Sequence, residues 1–256
     1  RVRQLTMDDA HIYVRPDQAE EEIRRVLKTI QNFYKALQFD AEYYLATKPE
    51  GALGTKKEWE IAETALKNAL ESSKMKYKVA KGEGAFYGPK IEVHIKDSQG
   101  RDWQMGTAQL DLVMLPEKFN LSYIDEAGKK QKPFVIHRAI FGSFERFIGI
   151  LLEHFQGALP FWLSPVQVAV ITINDRVANY AEEVFEALKN KNIRAELDLR
   201  NESIGKKIRE AELQKIPYLL IIGEKEAASG KVAVRERGKG DVGQKTLEEF
   251  LRLAQK

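Results

Sequence analysis

Residues 91–112 read IEVHIKDSQGRDWQMGTAQLDL. Two strand candidates, Ile91 to Lys96 and Arg101 to Leu112, flank Ser98-Gln99-Gly100, a tripeptide suited to a hairpin turn. A third, Phe134 to His137, follows, and a helix from Ser143 to Phe155 closes the region. Successive strands joined by short connections, with few crossover helices, predict an antiparallel sheet.

Upstream, residues 1–14 alternate like strands around Asp8 and Asp9. Pro16 and Asp17 open a long helix, and Glu20, Glu21 and Glu22 favour its positive N-terminal end. Its apolar positions, Ile23, Val26, Leu27, Ile30, Phe33, Tyr34 and Leu37, recur at intervals of three and four. Ala41 to Ala46 reads as a strand, Thr47 to Gly54 as a loop, and Lys57 to Leu70 as a helix with Trp59, Ala62, Leu66 and Ala69 inward. Gly82, Gly84, Gly88 and Pro89 frame a turn-rich stretch around Phe86 and Tyr87.

Downstream, Pro160 and Ser164-Pro165 mark a boundary, which divides the chain into residues 1–162 and 163–256. Val166 to Ile173 is a continuous apolar run, as in a buried strand. A helix (Arg176 to Lys189), a strand (Arg194 to Leu197), a helix (Ile204 to Gln214), strands at Tyr218 to Ile222 and Lys231 to Arg235, and a helix at Leu247 to Ala254 follow. The alternation predicts a compact α/β domain with a mixed sheet.

The chain has no cysteine, so disulfides are excluded and a metal site must draw on His, Asp, Glu or outside groups. No apolar run has the length of a membrane span, and residues 1–6 carry no signal-peptide pattern. The 31% charged content suits a cytoplasmic protein. A net charge of +3 leaves nucleic-acid binding to local clustering. The start lacks a Met, and the sequence is expected to be part of a longer protein.

Four clusters in the first half carry chemistry. Asp9 and His11 share one face of an alternating strand, where they could hold a metal, bind an amine or move a proton; a polar turn with one satisfied histidine is the plainer reading. His137-Arg138 ends an apolar strand, Gly142 permits a tight turn, and Arg146 enters the first helical turn with a donor fork suited to phosphate or to a carboxylate such as Glu145. Gly82 to Lys90 can bring backbone, a Tyr87 hydroxyl and an ammonium to one ligand. Thr107 and Gln109 share one strand face, and Gln104 joins them only if a bulge at Gly106 resets the pleat; otherwise this is a wetted edge strand. In the second half, Arg200, Lys206, Lys207 and Arg209 surround Asn201, and Lys231, Arg235, Arg237 and Lys239 lie along a late strand. Such patches attract phosphate backbones or form a solvated face.

The stretches RVRQLTMDDAHIY (1–13), GEGAFYGPKIE (82–92), QMGTAQLD (104–111), IHRAIFGSFERFIGI (136–150), DLRNESIGKKIR (198–209) and 216–235 together resemble the bacterial-type threonyl-tRNA synthetase family, colinearly through essentially the whole chain. The resemblance implies an α+β class II synthetase catalytic domain, N-terminally truncated, with an antiparallel sheet and helices. An α/β anticodon-binding domain with a mixed sheet follows it. It implies a ligase that activates threonine with Mg2+-bound ATP and transfers it to tRNA(Thr), as a cytoplasmic homodimer. In that likeness Arg1 and Arg146 contact the nucleotide as the motif 2 and motif 3 arginines, and His11 and His137 are zinc ligands. Asp9 and Tyr87 lie near the amino group of threonine. Lys90, Gln104, Thr107 and Gln109 line the remaining pocket, and Asn201, Arg209, Glu226 and Arg235 read the anticodon.

Departures from the family pattern accompany the likeness. The third zinc ligand is a cysteine upstream of motif 2, absent here, as are motif 1, the first strand of motif 2 and the editing domain. Met7 replaces a glutamine near the adenylate, and Met105 replaces a common cysteine. The chain alone is therefore expected to be inactive. A non-catalytic RNA-binding module and a prolyl-type ligase are the competing functions; the two histidines favour threonine.

Overall fold

A computed structural model describes residues 3–254, so Arg1 lies outside the described residues. The chain divides into two compact units, Arg1–Glu153 and His154–Lys256.

The first unit runs β1 (Ala10–Val14), a 3-10 turn (Pro16–Gln18), α1 (Ala19–Ala36), β2 (Ala41–Ala46), α2 (Lys56–Ser72), β3 (Lys78–Ala80), β4 (Lys90–Lys96) and β5 (Asp102–Asp111). It continues with α3 (Met114–Lys118), the short strands β6 (Tyr123–Ile124) and β7 (Lys130–Gln131), β8 (Phe134–Ala139) and α4 (Phe144–His154). Six strands form one sheet in the order β1-β8-β5-β4-β2-β3. Its pairs are antiparallel, as expected, except for the parallel edge pair β2–β3. Cross-strand partners share a face. Ile12, Ile136 and Leu110 are consecutive partners, as are Ala108, Ile91 and Leu45, and they form the apolar face. Helix α1 buries Ile23, Val26, Leu27, Ile30 and Tyr34 here, and α2 buries Trp59, Ala62, Leu66 and Ala69. The opposite face carries polar side chains, among them His11, His137, Gln109, Lys90 and Glu92.

Local chemistry sets the helix starts. Thr55 caps α2 by accepting from the Glu58 amide (3.3 Å), while the Glu58 carboxylate accepts from the Thr55 amide (2.8 Å). This reciprocal pairing satisfies two N–H groups that a helix end leaves open.

The second unit runs β9 (Val168–Thr172), α5 (Ala178–Asn190), β10 (Ala195–Asp198), α6 (Ile204–Leu213), β11 (Tyr218–Ile222), α7 (Glu224–Ser229), β12 (Val232–Glu236), β13 (Gly240–Lys245) and α8 (Leu247–Ala254). The sheet order is β10-β9-β11-β12-β13; the β10–β9 and β9–β11 pairs are parallel, and the β11–β12 and β12–β13 pairs are antiparallel. This is the mixed sheet expected. All five residues of β9 are buried because both faces are covered. Val168, Val170, Leu220 and Val234 pack with Val184, Leu188 and Phe250, while Ala169, Ile171, Leu219 and Ile221 pack with Ala211 and Ile216.

The expected basic patch around Asn201 is corrected by this fold. Lys207 is only 2% exposed; its ammonium donates to the Thr172 carbonyl (3.0 Å), the Thr172 hydroxyl (3.3 Å) and the Asp198 carbonyl (3.3 Å). Arg200 is ion-paired with Asp198 (2.7 Å) and Glu210 (2.8 Å), and Lys206 with Glu202 (2.6 Å). Arg237 of the later cluster donates to the carbonyls of Lys215, Ala158 and Leu159. Much of the charge counted in the sequence is spent inside the unit.

Candidate functional site

The polar face of the first sheet collects the expected residues in rows. His11, His137, Gln109, Lys90 and Ala46 are consecutive cross-strand partners over five strands. In the next rows Thr107 faces Glu92 and Tyr44, and Gln104 faces His94 and Glu42. Gln104 belongs there because the pleat is interrupted: Val93 pairs with Gly106 and His94 with Gln104, so Met105 is an extra residue. The bulge anticipated from the sequence is present, and it brings Gln104, Thr107 and Gln109 to one face.

Two turns frame this face. Gly142 adopts φ +76°, and a Cβ there would lie 2.7 Å from the Met105 carbonyl oxygen, so the strand-to-helix turn needs glycine. Asp8 holds the same turn. Its carboxylate accepts from the amides of Ile140 (2.7 Å), Phe141 (3.3 Å) and Gly142 (2.8 Å). Asp8→Ala would leave three amides unpaired, and a loss of about 2–3 kcal/mol is expected by denaturant titration of this chain. In the other turn, a Cβ on Gly88 would lie 2.2 Å from the Leu110 carbonyl oxygen, so the 82–90 loop lies tight against β5. That contact delivers Tyr87, whose hydroxyl donates to Gln109 Oε1 (3.2 Å), while Gln109 Nε2 donates to the Gly88 carbonyl (3.3 Å).

The imidazoles of His11 and His137 meet edge to face at 4.6 Å between centroids, and Tyr87 lies 5.4 Å from His137. His137 Nε2 lies 3.3 Å from Asp111 Oδ2, which leaves the other ring nitrogen for a ligand. Asp111 has a side chain 0% exposed. Burial pushes its carboxyl up, but the bonds from His137 and from the amides of Leu115, Val113 and Met114 outweigh it and hold it below the usual carboxylate range. Its contribution to stability is therefore present above that range and is lost as pH falls through the lowered value. Tyr87 is pushed up, first by burial and then by the charges of Asp111 and Asp9, so its hydroxyl stays protonated and able to donate. Asp9 itself is exposed just before β1. Lys90 pairs with Glu92 at 2.6 Å. Among the described residues no group of three or more His, Cys, Asp or Glu side chains is arranged to hold a metal.

Arg146 does not spend itself on Glu145. Glu145 accepts from the Thr6 amide (3.0 Å) and the Ser143 hydroxyl (2.8 Å), whereas Arg146 donates to the Gln104 carbonyl (3.2 Å) and lies 5.3 Å over the Trp103 ring.

In the second unit, Arg235 stands on the same sheet face as Leu219 and Ala233, the face on which α6 packs. Its Nη2 reaches Glu212 (3.4 Å), while its buried Nε has no hydrogen-bond partner. Glu226 accepts from the Gly223 amide (3.0 Å) and from the Gln244 amide group, whose residue pairs with Ala233 on that face. Arg209, on α6, and Asn201, in the loop before it, are exposed.

Two sequence profiles match. One, described as the anticodon binding domain, covers residues 167–256; the other, the tRNA synthetase class II core domain (G, H, P, S and T), covers residues 1–155. The chain belongs to the class II tRNA synthetase core family. Threonine–tRNA ligase of Carboxydothermus hydrogenoformans is 55% identical over 251 residues, 98% of this chain and 39% of that protein. The enzyme of the same name from Clostridium tetani is 53% identical over the same shares. This class II chain thus spans about two fifths of the length of the curated relatives it matches. A crystal structure of the RNA binding domain of threonyl-tRNA synthetase from Cryptosporidium parvum superposes with a TM-score of 0.90 at 40% identity, over 100% of this chain and 64% of that one. A putative threonyl-tRNA synthetase from Aeropyrum pernix gives 0.80 at 28% identity, over 100% and 63%.

Several members of the polar face of this class II core lie outside the residues expected from the sequence. Glu92, only 8% exposed, links Lys90 to His94, and His94 Nδ1 lies 2.6 Å from Asp102. The signal was the alternation of Glu92 and His94 with Ile91, Val93 and Ile95. Asp111 had no comparable signal, because its value depends on α3, a five-residue helix too short for a periodic pattern.

Proposed function

We propose that the chain supplies the threonine-activating face and the anticodon-binding domain of a threonine–tRNA ligase. The complete protein would use threonine, Mg2+-bound ATP and tRNA(Thr), in the cytoplasm and as a homodimer. One observation carries the reading: His11 and His137 stand side by side in the row that also holds Gln109 and Lys90, with the Tyr87 ring 5.4 Å from that of His137.

His11 and His137 would hold zinc, with a third donor from outside this chain. Held there, zinc would supply a Lewis acid toward an amine and a neighbouring hydroxyl, a preference that valine could not satisfy. Asp111 steadies the His137 ring, as the carboxylate behind a ligating histidine does. Asp9 and the protonated Tyr87 would take the ammonium and orient the substrate, and Gln109 would hold Tyr87 in place. Threonine's carboxylate attacks the α-phosphorus, a P–O bond forms, and pyrophosphate leaves with the electrons of the bond broken. The acyl group then passes to the terminal ribose hydroxyl of tRNA, and AMP leaves. No residue need become covalently bound. Arg146, with Arg1 outside the described residues, would oppose the charge that develops on phosphate; Lys90, Gln104 and Thr107 complete the pocket wall.

Asn201, Arg209, Glu226 and Arg235 would read the anticodon loop, where unstacked bases expose their edges. The unsatisfied Nε of Arg235 supports this, since a buried unpaired donor is costly without a partner. Arg235→Ala is expected to weaken tRNA binding about tenfold, by filter binding, and to leave threonyl-adenylate formation unchanged. Equal loss of both would contradict the division of labour.

A further inference from the structure

We infer that Trp103 is the positioning residue for Arg146, a platform that holds the guanidinium ready for the nucleotide. This rests on the reading of Arg146 as a nucleotide-binding arginine. The indole is itself fixed. Its Nε1 donates to Asp97 Oδ2 (2.9 Å), and Asp97 also accepts from the amides of Gln99 and Arg101 and from Arg101 Nε. Asp97 therefore ties the β4–β5 turn to the ring that follows it. The guanidinium of Arg146 reaches from the first turn of α4 to lie 5.3 Å over that ring, with Nη1 on the Gln104 carbonyl at 3.2 Å.

The physical case is one of preorganisation. Arg146 is exposed, and a long exposed side chain loses rotamer freedom when it engages a ligand. Of the aromatic rings, the indole attracts a cation most strongly. One ring contact and one hydrogen bond to β5 restrict Arg146 before any nucleotide arrives. The same strand presents Gln104, Thr107 and Gln109 to the polar face, so arginine and pocket wall share one support.

The test uses the full-length protein that carries this chain, with KM for ATP, KM for threonine, kcat and thermal midpoint measured for Trp103→Leu, Trp103→Phe and Arg146→Ala. Trp103→Leu is expected to raise KM for ATP roughly fivefold, with little change in KM for threonine. Trp103→Phe, which keeps a ring face but loses the bond to Asp97, restores most of it. If Trp103→Leu leaves KM for ATP unchanged while Arg146→Ala raises it, the platform is refuted and the nucleotide role of Arg146 stands. If both substrates and the thermal midpoint suffer together in Trp103→Leu and Trp103→Phe alike, Trp103 is only structural and the inference is overturned. If Arg146→Ala itself leaves ATP unaffected, the underlying reading of Arg146 fails and the platform with it.

Discussion

His137→Ala in the full-length protein is expected to abolish threonine-dependent pyrophosphate exchange, by more than about a thousandfold, while binding of ATP alone persists. The reason lies in the row of partners. His137 sits between His11 and Gln109 across three strands, touches Tyr87, and is backed by a buried Asp111. Its removal takes away one of two adjacent imidazoles and strands a carboxylate with no ring to face. Zinc bound to the purified protein should fall with activity, measured by elemental analysis. Asp111→Asn should give a milder version, since the ring remains but loses its charged support. Unchanged exchange in His137→Ala would show that the histidine pair is a packing feature of the polar face.

Arg146→Ala should lower kcat/KM for ATP by about a hundredfold to a thousandfold, the order observed when one preorganised donor to developing charge is deleted. The effect should separate cleanly from threonine binding, because Arg146 leans on β5 at Trp103 and Gln104, not on the histidine row. Stability should hardly change, as the side chain is exposed and its neighbour Glu145 keeps its own bonds to Thr6 and Ser143. Arg146→Lys tests geometry: it keeps the charge but not the planar fork, and should recover little. Adenylate formation measured by single turnover would show whether the loss lies in the chemical step.

Much of this architecture is legible from residues alone. The three-and-four spacing of Ile23 to Tyr34 gives α1, and Tyr218 to Ile222 is a strand with the ends expected. Gly142 marks the strand-to-helix turn because only glycine fits its φ and its distance to Met105. What escaped were short or weakly patterned elements: the three residues of β3, the six-residue α7, and β13, whose GDVGQK is poor in strand-forming side chains. Tertiary contacts outweigh propensity there.

The site was legible to a similar depth. Periodicity places His11 on a strand face, and a conditional bulge places Gln104 beside Thr107, but only pairing across strands reveals that these form rows with Lys90 and His137. Asp8 and Asp9 are adjacent and chemically alike in sequence, yet Asp8 is consumed by three amides while Asp9 is left exposed. Charge counting misleads most in the second unit, where Lys207 is buried and Arg200 is paired. A formal charge says nothing of the acceptors that surround it.

On the proposed reading the polar face activates threonine. The most direct measurement is exchange of radiolabelled pyrophosphate into ATP by the full-length protein, with threonine, serine, valine and proline compared, before and after zinc is removed by chelation. Exchange that needs threonine, ignores valine and proline, and is lost with zinc is the predicted result. Exchange driven by proline, or by threonine with no dependence on zinc or on His137, would contradict it.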